Sequence, residues 1–127
     1  MQDAPDYAIA IDIATRFLDE HSKPAEDLYY FAYTIGIRNT GRHPAQLIAR
    51  RWHLVDAAGA PREVAGDGVV GEQPRLMPGE RYEYTSSACF KTPYGTMEGA
   101  YLMRGDDGTE FEAPIPQFVL SMPRTLH

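Results

Sequence analysis

The residues Gly66-Asp67-Gly68-Val69-Val70-Gly71 carry the glycine spacing of a turn that cradles a dinucleotide pyrophosphate. Glycines at that spacing let backbone N–H groups come close to phosphate, provided a helix starts there and aims its positive dipole end at the ligand. Glu72-Gln73-Pro74 and Leu76-Met77-Pro78-Gly79 follow instead, and prolines so close together interrupt any helix. The spacing therefore predicts a bend at a sheet rim, with positive φ or close backbone approach at Gly66, Gly68 and Gly71. The alternative is a phosphate-binding loop of Gly66, Asp67, Gly68, Gly71 and Glu72, in which successive amides form an anion nest. Arg50 or Arg75 would then supply a guanidinium fork.

A second constellation is Arg50-Arg51-Trp52-His53. Arginine and tryptophan are enriched where proteins grip one another, so with Tyr94 these residues form a candidate recognition patch. On a strand, Arg50 and Trp52 share one face, and the alternative to a surface patch is that this strand takes the place where immunoglobulin-like sandwiches bury a tryptophan between their sheets. A buried guanidinium without a partner is strongly unfavourable, so Arg50 is expected either beside a carboxylate or on an open face. Tyr94 and Met97, in a segment read as a loop, offer further apolar anchors.

The remaining polar residues point away from catalysis. His21, His43, His53 and His127 lack the alternate spacing that places two ligands on one strand face, so no metal site is expected. Glu110 and Glu112 share a face opposite Phe111 and Ala113, the pattern of a solvated strand, and Asp106-Asp107-Gly108 is a turn signal. Cys89 has no neighbouring base to activate it. No catalytic residue and no cofactor is expected, and binding is favoured over enzymatic activity.

The elements that hold these residues are strands. Ile9, Ile11 and Ile13 alternate in a first strand over residues 7–13. Tyr29, Phe31, Tyr33, Ile35 and Ile37 make a core face over 28–38, before Asn39-Thr40-Gly41 turns the chain. Residues 46–55 read as a third strand with both faces mixed. Further strands are predicted over 62–65, 81–90, 96–104 and 109–115, with Pro114, Pro116 and Pro123 keeping the last segment at a sheet edge. About seven short strands without helical periods predict an all-β, immunoglobulin- or fibronectin type III-like antiparallel β-sandwich.

At 127 residues, with 43% hydrophobic and 24% charged residues, residues 1–127 are expected to form a single domain. The net charge of −6 argues against nucleic acid and anionic membranes as partners. A lone cysteine suits a reducing compartment. The opening residues lack a signal-peptide pattern, and no apolar run is long enough to span a bilayer, so a cytoplasmic protein without membrane insertion is expected.

Several segments in order resemble the bacterial ApaG family, also called CorD. They are Tyr30-Phe31-Ala32-Tyr33-Thr34-Ile35, Ile37-Arg38-Asn39-Thr40-Gly41, Arg50-Arg51-Trp52, Gly66 through Pro74, Pro78-Gly79-Glu80, Tyr82 through Ser86 and Pro93 through Gly99. The resemblance implies a fibronectin type III-like sandwich and a link to cobalt tolerance and magnesium efflux. It also implies an unidentified protein partner, because similar domains occur in eukaryotic F-box and polymerase-interacting proteins. Three readings follow: a non-enzymatic interaction protein, a phosphate or nucleotide binder or hydrolase, and a direct divalent-cation sensor. A free sheet edge also permits a homodimer.

Overall fold

The computed structural model describes residues 4–123; His127 lies outside them. The strands are β1 (Ile9–Phe17), β2 (Tyr29–Asn39), β3 (Ala45–Asp56), β4 (Pro61–Asp67), β5 (Arg75–Leu76), β6 (Arg81–Phe90), β7 (Tyr94–Gly105) and β8 (Glu110–Ser121), with a 3-10 turn at Pro24–Glu26. All pairings are antiparallel: β1-β2-β6 form one sheet and β4-β3-β7-β8 the other, with β5 attached to β3. This is the expected antiparallel β-sandwich. Among the described residues no helix is long and apolar enough to cross a membrane.

Strand β2 shows why the layers stack. Its odd positions Tyr29, Phe31, Tyr33, Ile35 and Ile37 are all buried, because side chains alternate across a strand and the apolar set falls on one face. Burying each such side chain contributes roughly 1.5–3 kcal/mol. Trp52, Leu54, Tyr101, Met103, Tyr84 and Leu120 meet them from the other strands in one continuous core.

The mixed pattern of β3 has a single cause. Its pairing with β7 shifts between Leu47 and Ala49, so Ile48 is an extra residue and the strand changes face there. Ala45 and Leu47 are buried on one side of the bulge, Trp52 and Leu54 on the other. Strict alternation could not have joined those two sets.

Several boundaries differ from the sequence expectation; β1 starts at Ile9 and runs on to Phe17 instead of covering residues 7–13. Residues 94–97 begin β7 rather than forming a loop, and Met97 is a core residue at 2% exposure, so it is not a surface anchor. Strand β8 runs through Pro114 and Pro116 to Ser121; it is an edge strand, where a missing amide breaks no ladder if it faces outward. The two-residue β5 is too short for any period to show in the sequence.

Candidate functional site

The bulge at Ile48 anchors the glycine segment. Its carbonyl accepts the Gly68 amide at 2.8 Å and the Gln73 side-chain amide at 2.9 Å. Strand β4 delivers the chain to this point, with Gly66 paired to Arg50. Arg50 Nη1 then donates to the carbonyls of Asp67 and Gly68, each at 3.0 Å. A Cβ at Gly66 would stand 2.9 Å from that guanidinium nitrogen; this glycine is there for close approach. Arg50 is thus half-buried and held by backbone carbonyls, a third arrangement beside the two expected, a carboxylate partner or an open face.

Beyond Gly68 the chain makes a tight hairpin. Val69 and Glu72 exchange both backbone hydrogen bonds, each at 2.8 Å, which leaves Val70 and Gly71 as a two-residue tip. Their φ values are +43° and +81°, the type I′ pattern that requires left-handed backbone at both central residues. Glycine meets that requirement freely. Valine does not, because a β-branched side chain crowds its own backbone there. Val69 is fully buried whereas Val70 is 55% exposed, so the strained residue presents its apolar side chain to solvent.

This geometry bears on anion binding. The Val69 and Glu72 amides are already used inside the loop and the Gly68 amide by the Ile48 carbonyl on β3, and Arg50 Nη1 is taken by the Asp67 and Gly68 carbonyls. Arg75 is paired through Nε and Nη2 with Asp106 at 3.0 and 2.5 Å, and that carboxylate lies below its ordinary range because Arg75 bonds it. No helix follows the third glycine; the segment is a bend at a sheet rim.

The Arg50–His53 run is split by strand alternation. Trp52 is 2% exposed, packed edge-on to Tyr33, Tyr101 and Phe118 with ring centres 5.5–6.4 Å apart, so it is not part of a surface patch. Its Nε1 has no hydrogen-bond partner among the described residues. Arg51 and His53 face outward; Arg51 reaches Glu112 at 3.2 Å and His53 pairs with Glu63. Tyr94 is 51% exposed at the start of β7. It lies four residues from Glu98, the cross-strand partner of His53, or about 13 Å along the strand.

Beneath the loop, the Tyr84 and Tyr101 hydroxyls form a buried hydrogen bond of 2.5 Å. Burial pushes both phenols well above their ordinary pKa, and the charge of Arg50 opposes that shift. Among the described residues no three His, Cys, Asp or Glu side chains gather as metal ligands. Glu110 and Glu112 lie on the solvated face, as expected, paired with Arg104 and Arg51.

Sequence reasoning missed the feature that most distinguishes the loop. Nothing in Val69-Val70-Gly71-Glu72 announces a valine in left-handed backbone. The usable signal was the two-residue spacing between Val69 and Glu72, which fits a hairpin tip.

Comparison with known proteins gives a consistent result. Residues 19–105 match the ApaG domain model, DUF525. The chain is 56% identical to Protein ApaG of Stenotrophomonas maltophilia over the whole of both chains. It is also 56% identical to Protein ApaG of Ralstonia nicotianae, covering 95% of this chain and 98% of that one. Among solved structures, the putative ApaA protein from Bordetella pertussis superposes with a TM-score of 0.93 at 47% identity, covering 97% of this chain and all of the other.

Proposed function

Given that this chain belongs to the ApaG family, we propose that it works as a non-enzymatic interaction module whose partner is another protein, gripped through the Val70–Gly71 hairpin tip and its rim. The observation that carries this reading is Val70 itself, an exposed β-branched residue held at a φ of +43°. Such backbone costs about 1–3 kcal/mol and persists where the surroundings over-determine it, often at binding sites. Arg50 and the Ile48 bulge supply that support. A rigid apolar tip loses little entropy on binding, which favours affinity. Arg51 and His53 extend the contact on the outer face of β3, and Tyr94 lies at its far limit.

Cobalt tolerance and magnesium efflux, implied by the family resemblance, then run through the partner and not through an ion held by this chain. We place this action in the cytoplasm, with residues 1–127 as one domain. Calorimetry with cobalt and magnesium is expected to give no saturable heat.

Photocrosslinking in cells tests the proposal. A photoreactive side chain at Glu72, exposed beside the tip, is expected to capture a defined protein that the same group at Ala58, exposed in the β3–β4 turn, does not. Identical capture from both positions, or none from position 72, would overturn the assignment of this surface.

A further inference from the structure

The two long sides of the sandwich differ. On one, β1 lies against β8. On the other, β4 and β6 face each other across an open seam containing two hollows of about 190 and 160 Å³, both bordered by Leu54, Arg62 and Cys89. Strand β6 is ten residues long, has no proline, and pairs with β2 without a register shift. The edge strand β8 carries Pro114, Pro116 and a bulge, and β4 starts on Pro61. Proteins blunt sheet edges with such devices because an uninterrupted edge is a template for another strand.

On β6 the edge is plugged by a side chain. Arg62 Nη2 donates across the seam to the Cys89 carbonyl at 3.2 Å, and its guanidinium carbon lies 5.9 Å from the centre of the Phe90 ring. Because backbone groups alternate sides along a strand, the Cys89 carbonyl shows which residues point into the seam: Ser87 and Cys89 turn their N–H and C=O groups the same way. Arg62 therefore fills an acceptor that an added strand would use.

We propose that the free edge of β6 takes up an extended acidic and apolar segment of a partner polypeptide as an added strand. Arg62 and Lys91 stand at the mouth of the seam on a chain whose net charge is −6, so acidic side chains are attracted here and repelled by the protein as a whole. Asp56 also borders the seam, but its Oδ1 already accepts the Ala58 and Ala60 amides at 2.9 and 3.0 Å. Alternate apolar side chains of the incoming strand fall into the hollow against Leu54 and Phe90, while its acidic ones meet Arg62 and Lys91. This site goes beyond the hairpin tip and is separate from it: Val70→Asn leaves it unchanged.

The test uses a seven-residue peptide of alternating glutamate and valine, acetylated and amidated at its ends, titrated into the full chain. Hydrogen exchange at the Ser87 and Cys89 amides is expected to slow by about tenfold when free peptide reaches ten times its Kd. The emission of Trp52, the one tryptophan of the chain and a residue bordering the hollow, shifts in parallel. Ser87→Pro, an edge substitution that deletes an outward amide, abolishes the protection that remains readable at Cys89. Arg62→Glu reverses the preference toward a lysine–valine peptide and serves should the proline variant fail to fold. The proposal is overturned if millimolar peptide slows neither amide, or if Arg62→Glu leaves the charge preference intact. It is equally overturned if hexanoate reproduces the Trp52 response without protecting Ser87 and Cys89, which would make the seam a small-molecule pocket.

Discussion

The interior around Trp52 and the rim at Val70 obey opposite rules. Around Trp52, aromatic rings meet edge-on, and the Ile48 bulge lets both halves of β3 bury their apolar residues. At the rim, a valine occupies backbone suited to glycine or asparagine and exposes its side chain. One region is built for stability; the other holds a local cost that the interior offsets. Regions where local preference and native conformation disagree are where binding roles are expected.

The largest effect belongs to the interior. Trp52→Ala removes the ring at the centre of the core, and urea unfolding is expected to show a loss of about 3–5 kcal/mol. A loss below 1 kcal/mol would erase the contrast between the two regions. Next comes the link between them. Arg50→Met keeps the stem but removes donors to two carbonyls, and hydrogen bonds from charged groups are worth about 1.5–3 kcal/mol. Hydrogen exchange should quicken at Val69 and Glu72 far more than in β2. Uniform quickening would mean that Arg50 supports the whole sandwich and not this loop.

A smaller effect tests the β7–β8 turn, a rim without strain. Asp107 is pulled down to about 2 chiefly because the Thr109 backbone amide bonds its carboxylate, with the Thr109 side chain and the Tyr7 hydroxyl adding to that. A carboxyl depressed in the folded state stabilises above its unfolded pKa, about 3.9. That contribution fades as pH falls from about 4 toward 2. In Asp107→Asn the fall in Tm over this window should be shallower, and an unchanged slope would remove Asp107 from the turn's support.

Much of this contrast was open to sequence reading and part was not. Strand β2 declared itself because five apolar residues alternate without interruption. The glycine segment was separable from a dinucleotide turn because Pro74 and Pro78 forbid the helix. Strand β3 looked mixed because an inserted residue leaves no chemical mark, only a change of face. The partner of Arg50 was hidden for a related reason: main-chain carbonyls belong to every residue, so no side-chain type marks where a guanidinium will find them. Of the two readings open for Trp52, burial between the sheets holds and the surface patch fails, and Met97 is no surface anchor, because burial depends on which face the bulge and the strand start assign to them.

On the proposed function, strain at Val70 is kept for contact and not for folding, and one substitution separates the two. Asparagine accepts left-handed backbone and suits the first position of a type I′ turn, so Val70→Asn is expected to raise stability by about 1 kcal/mol while abolishing capture of the partner crosslinked from position 72. A variant that is more stable and still captures that partner at the wild-type level would contradict the account.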